Sequence, residues 1–117
     1  MKSVLIVSHG SRSLETKEEV VSLTEKLRQK TSVAIVEYAF LEIESPSIPQ
    51  GVEQCIRKGA TEVIVALNFL NAGKHVNEDI PRIVKECQRK YPHVKISVTS
   101  PIGQDEGIVE IFLRMIN

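Results

Sequence analysis

Four short apolar runs recur along the chain, and each is followed by a segment with helical spacing. Residues 4–7 are continuously apolar, as in strands buried on both faces. Residues 33–41 are rich in Val, Ile, Tyr and Phe, which favour strands. Residues 62–67 form a third, nearly continuous run. In residues 94–98, Val94, Ile96 and Val98 alternate with Lys95 and Ser97, the pattern of a strand with one wet face.

The intervening segments carry helix signals. Residues 13–30 are charged, with Val20, Leu23 and Leu27 on one expected inward stripe. Ser47 opens a capping-box pattern with Gln50, with Pro49 in the first turn, and Gly59 is a natural stop. Asn77 reads as an N-cap, with Glu78 and Asp79 placed where acidic groups complement the helix dipole. Ile80, Ile83, Val84, Cys87 and Tyr91 mark that helix's buried face, and Pro92 ends it. Asp105 is expected to cap a last helix with Ile108, Ile111, Phe112 and Met115 turned inward.

Four alternating β-α units define an α/β fold: a parallel sheet with helices on both faces, a three-layer sandwich. The first and third strands look most buried and belong at the centre, and the alternating fourth suits an edge. The order 2-1-3-4 with right-handed crossovers satisfies this, a flavodoxin-like arrangement shortened by one strand, while periodicity by itself leaves other orders open. With 117 residues the chain is read as one domain, 1–117.

Composition narrows the partners. Lys+Arg and Asp+Glu are equal at 15 each, so no basic excess points to nucleic acid or a membrane surface. Aromatic residues are 4%, too few for a base-stacking platform. No apolar run approaches the ~20 residues of a membrane span. The N-terminal stretch lacks a signal-peptide pattern, so a cytoplasmic location is expected. Cys55 and Cys87 are far apart and read as small buried hydrophobes, not as ligands or a disulfide.

The topology gives three residues a meaning. In open α/β sheets, ligands bind beyond the carboxyl ends of the strands, where strand order reverses. His9 lies just past the first strand, Glu42 past the second and His75 past the third. Three loops therefore bring two imidazoles and a carboxylate to one sheet edge. That set suits a divalent transition metal such as Fe, Co, Ni or Zn, and three ligands leave open positions. His75 is expected just before a helix N-terminus, which favours the neutral, ligating ring. His93, in a polar turn, is read as exposed and inert, and Asp79 as a helix-terminus carboxylate, not a ligand.

A phosphate reading competes, because strand, Gly-Ser and helix resemble an anion cradle. A phosphate-ester enzyme with His9 as a phosphohistidine nucleophile is the form it would take. The chain has neither G-x-x-x-x-G-K-[ST] nor G-x-G-x-x-G, and Ser8 stands where such enzymes usually carry an Arg before His-Gly. A metal-binding module or chaperone without catalysis is a second alternative.

The motifs "VSHGSR", "FLEIESPSIPQG" and "FLNAGKHVNEDIP", in that order, with the closing "SPIGQDEGIV", resemble the sirohydrochlorin cobaltochelatase and ferrochelatase family in its short, single-domain form. The resemblance runs along nearly the whole chain. It implies a chelatase-like fold and an enzyme, a lyase that inserts Co²⁺, Fe²⁺ or Ni²⁺ into sirohydrochlorin, a tetrapyrrole with eight carboxylates, for siroheme or cobalamin-type products. The metal would be a substrate, with no permanently bound cofactor. Long members hold two such domains, so a homodimer is implied for a one-domain chain. By the same resemblance His9 and His75 are the metal-binding and catalytic histidines, and Glu42 is their acidic partner, as ligand or proton carrier. Ser8, Gly10, Ser11 and Gly73 would admit a flat substrate, and Arg12, Lys74 and Arg82 would pair with its carboxylates.

Overall fold

The computed structural model describes residues 1–117. Four strands, β1 (Lys2–Ser8), β2 (Ile35–Phe40), β3 (Glu62–Leu67) and β4 (Lys95–Val98), form one sheet in the order β2-β1-β3-β4. Every neighbouring pair is parallel. The order expected from burial and alternation is the one found.

The helices are α1 (Leu14–Lys30), α2 (Ile48–Arg57), α3 (Ile80–Lys90) and α4 (Gly107–Ile116). α2 begins at the expected capping box. The Ser47 hydroxyl accepts from Gln50 N at 3.3 Å, and the Gln50 side-chain oxygen accepts from Ser47 N at 2.8 Å. Leu5, Val7 and Ala39 share one sheet face with Val63, Val65 and Leu67, and pack there against α2 and α3. Cys55 and Cys87 are free and buried in that core. No helix is long and apolar enough to cross a membrane.

The opposite face is covered differently from expectation. α1 buries Val20 and Thr24, while Leu23 is exposed, so the inward stripe is rotated by one residue. Thr24 is tolerated in the interior because its hydroxyl donates to the Val20 carbonyl at 2.8 Å. β3 alternates between half-buried and buried positions and is not buried throughout. Its Ile64 and Ala66, with Val4 of β1, stay partly exposed on the α1 side.

α4 accounts for that opening. Ile108, Ile111, Phe112 and Met115 do not face the core, because α4 buries no residue. After the 3-10 turn Ile102–Gln104, the helix packs on that turn and leaves the sheet uncovered. Asp105 does serve its start, accepting from Gly107 N at 2.7 Å.

Candidate metal site at the carboxyl edge

β1 and β2 keep pairing beyond their assigned ends. Leu41 N donates to Ser8 O at 2.8 Å, and Glu42 N donates to His9 O at 3.0 Å. Glu42 is thereby held beside His9. The chain then loops out through residue 45 and closes at its neck, where Phe40 N donates to Pro46 O at 2.8 Å. Within the loop Glu44 N donates to Glu42 O at 2.8 Å across Ile43, whose φ is 72°. This two-residue hydrogen bond about a positive φ is a γ-turn, a strained geometry for a β-branched residue.

Gly10 has φ 104°, and a Cβ there would lie 1.9 Å from the Glu42 carbonyl oxygen. The close approach that Gly10 permits is thus to the Glu42 loop. Ser11 N donates to a Glu44 carboxylate oxygen at 3.0 Å and braces the loop from the other side.

His75 arrives from β3. The connecting loop is pinned by Gly103 N to Phe69 O at 3.0 Å, and a Cβ on Gly103 would meet the Leu70 carbonyl oxygen at 1.9 Å. The closing "SPIGQDEGIV" segment therefore supports the loop that delivers His75. Helical backbone starts earlier than expected, with a π-turn over His75–Asp79 that runs into α3. Asn77 is not an N-cap, since its N–H donates to Gly73 O at 2.8 Å inside the turn. His75 lies within the first turn, not before it.

The three expected ligands meet. One ligand atom from each of His9, Glu42 and His75 lies within 4.8 Å of the others. His9 Nε2 is 3.3 Å from Glu42 Oε1, and His75 Nε2 is 4.0 Å from the same oxygen. The two rings are 5.0 Å apart between centroids. All three side chains are about half exposed, at 45–49%. The other ring nitrogens are occupied. His9 Nδ1 is 3.0 Å from the Gly10 carbonyl oxygen, and His75 Nδ1 is 2.7 Å from Asp79 Oδ2. A carbonyl and a carboxylate only accept, so each Nδ1 carries a hydrogen, and Nε2 is the nitrogen each ring turns toward Glu42.

Asp79 was missed as a site residue by the sequence reading. Its hydrogen bond from His75 holds the carboxyl below the usual carboxylate range, with the charges of His75, Lys74 and Arg82 adding to the effect. The available signal was the four-residue spacing from His75. Of the residues assigned to substrate, Arg12 and Lys74 are exposed and make no ion pair, and Gly73 is open on its Cβ side. Ser8 is 6% exposed and its hydroxyl accepts from Asn68 Nδ2 at 3.0 Å, leaving it little surface to offer a substrate.

A parallel α/β sheet with His9, Glu42 and His75 gathered at its switch point defines a small α/β protein with a candidate metal site. The CbiX family model matches residues 3–117, and the chain belongs to that family. It is 38% identical over 117 residues to the sirohydrochlorin ferrochelatase of Priestia megaterium, covering 100% of this chain but 44% of that protein. It is 37% identical to the sirohydrochlorin cobaltochelatase of Sulfolobus acidocaldarius, covering 95% of this chain and 86% of that one. The crystal structure of the sirohydrochlorin chelatase SirB from Bacillus subtilis subspecies spizizenii in complex with cobalt superposes with a TM-score of 0.88 at 34% identity. That match covers 98% of this chain and 50% of SirB. The chain thus spans about half the length of several relatives and nearly all of others.

Proposed function

We infer that this chain is a sirohydrochlorin chelatase domain that inserts Co²⁺ or Fe²⁺, with Ni²⁺ also suited to the ligand set. The observation that carries this reading is the convergence of His9, Glu42 and His75 from three separate loops. The relatives named for cobalt and iron insertion, and the cobalt complex of SirB, support the substrate and the metals.

The chemistry follows from the ligand set. Insertion exchanges two pyrrole protons of the macrocycle for one divalent ion. His9 and His75 present Nε2 lone pairs to the ion, and Glu42 offsets part of its charge. As nitrogens of the macrocycle take the ion over, the freed imidazoles accept the departing protons, since histidine titrates near neutral pH. The half-exposed Glu42 then passes protons to solvent. Arg12 and Lys74, unpaired on the rim, are the cations available to the carboxylates of the substrate.

A second copy of the chain completes the cleft in this reading. α4 exposes Val109, Ile111, Phe112, Leu113, Met115 and Ile116, each at 41–75%. So large an apolar surface on one helix marks an interaction site. The partly exposed Val4, Ile64 and Ala66 offer an apolar seat for such a helix. The twofold length of relatives such as SirB supports a second lobe of the same kind.

The test is the anaerobic absorbance of sirohydrochlorin with this protein and Co²⁺, Fe²⁺ or Ni²⁺ in turn. Spectral change much faster than without protein establishes the activity. Tight metal binding without acceleration would leave a carrier instead.

A further inference from the structure

Asp79 is built into the structure in a way that a helix-terminus carboxylate does not require. Its Oδ2 meets His75 Nδ1 at 2.7 Å, and its Oδ1 faces Arg82 at 3.8 Å. The first contact is a hydrogen bond and the second a longer ion pair, so each carboxylate oxygen faces its own partner. They occur where the backbone departs from regular helix: Ile80 N bonds to His75 O, a π-type closure five residues back. Such single π-turns occur frequently at functional sites. The four-residue spacing sets Asp79 on the same face as His75, and within this turn its carboxylate reaches the ring nitrogen that points away from Glu42.

We propose that Asp79 is a positioning residue for the metal site, holding His75 as the Nδ1–H tautomer with its Nε2 aimed at Glu42 and His9. An acceptor on the outer nitrogen of a metal-binding imidazole sets tautomer and ring orientation and strengthens the ligand. The two histidines are held unequally. His9 donates to the neutral carbonyl of Gly10, whereas His75 donates to a carboxylate. His75 is therefore the more firmly oriented ligand and the stronger donor to the ion. This rests on the reading of His75 as a metal ligand, but not on turnover.

The experiment uses ¹⁵N-histidine-labelled, metal-free protein at about pH 8, where ordinary imidazoles are neutral. Long-range ¹H–¹⁵N correlation then reports which nitrogen carries the proton. His75 is expected as the Nδ1–H tautomer in the wild type and to shift toward Nε2–H in Asp79→Ala, with the His9 signals unchanged. Calorimetric titration with Co²⁺ is expected to show affinity reduced about 10-fold or more in Asp79→Ala, the usual effect of removing such a partner. Asp79→Asn, whose amide oxygen can accept the same proton, is expected to restore the tautomer and most of the affinity. A merely structural role would move neither reading without a matching loss of thermal stability. An unchanged His75 tautomer in Asp79→Ala, or Co²⁺ affinity within about twofold of wild type, overturns the assignment. Wild-type protein that binds no Co²⁺ overturns the metal-site reading itself, and the assignment with it.

Discussion

The Glu42 carbonyl occupies the space where a side chain on Gly10 would begin, 1.9 Å from the ideal Cβ position. The residue next to one ligand is thereby a glycine because of the loop that carries another. Gly10→Ala must push that loop away and also strain the backbone at φ 104°. We expect a loss of about 1–3 kcal/mol in stability. Co²⁺ affinity should fall with it, since Glu42 N no longer reaches His9 O. Chemical denaturation and metal titration of the one variant check both; unchanged affinity would separate the loop from the site.

Removing a ligand should spare the fold. His9 and His75 are about half exposed, so His9→Ala and His75→Ala should each change stability by about 0.5 kcal/mol or less. Each should abolish metal insertion. Full activity in either variant would remove that residue from the mechanism.

Ile43 offers a case in which stability and function part. It holds φ 72° and is 57% exposed, so glycine there relieves backbone strain while giving up little burial. Ile43→Gly should stabilise the protein by about 1 kcal/mol, raising the melting temperature by roughly 4 °C. The freed turn should hold Glu42 less firmly, and Co²⁺ affinity should fall. A lower melting temperature would show that the turn is not strained.

The apolar surface of α4 should govern self-association. Phe112 is 59% exposed on a helix that buries no residue, so its replacement should disturb the core little. Sedimentation analysis should find a dimer for the wild type and a monomer of the same melting behaviour, extrapolated to low concentration, for Phe112→Asp. A wild-type monomer at high concentration would overturn the second-copy reading.

Cys55 supplies an alkaline limit. Burial pushes its thiol above the ordinary range, the Ser3 hydrogen bond opposes this, and the nearby Glu37 charge adds to it. The native state therefore keeps its proton longer than the unfolded chain does. This contribution is complete below the thiol's unfolded pKa and is lost as pH rises through the folded value. Denaturant midpoints should decline from about pH 9 upward, and the native protein should resist thiol reagents below that. Rapid native-state labelling of Cys55 at pH 8 would contradict it.

The strand order and the three ligands were legible because both rest on local pattern. Apolar runs and one alternating segment marked the strands, and the strand ends fixed where His9, Glu42 and His75 would sit. The face of α1 was less legible, because Thr24 enters the interior by bonding its own helix, which apolar spacing does not register. The start of α3 was misplaced because Asn77, Glu78 and Asp79 imitate an N-terminal turn, while the π-turn has no such signature. The role of Asp79 was hidden with it. The periodicity of α4 marked an apolar face and placed it against the core, where it does not lie, because periodicity carries no record of which surface covers a face.

His9, Glu42 and His75 stand on three loops separated by about thirty residues of chain each, so the site has no existence apart from the folded sheet. An ion held there acts as a removable cross-link between the exits of β1, β2 and β3. At a hundredfold excess over its dissociation constant it adds about 2.7 kcal/mol to the native state. In the proposed reaction, surrendering the ion to a macrocycle gives that clamp up, so the domain would be at its loosest just after delivering its metal and before the next ion arrives.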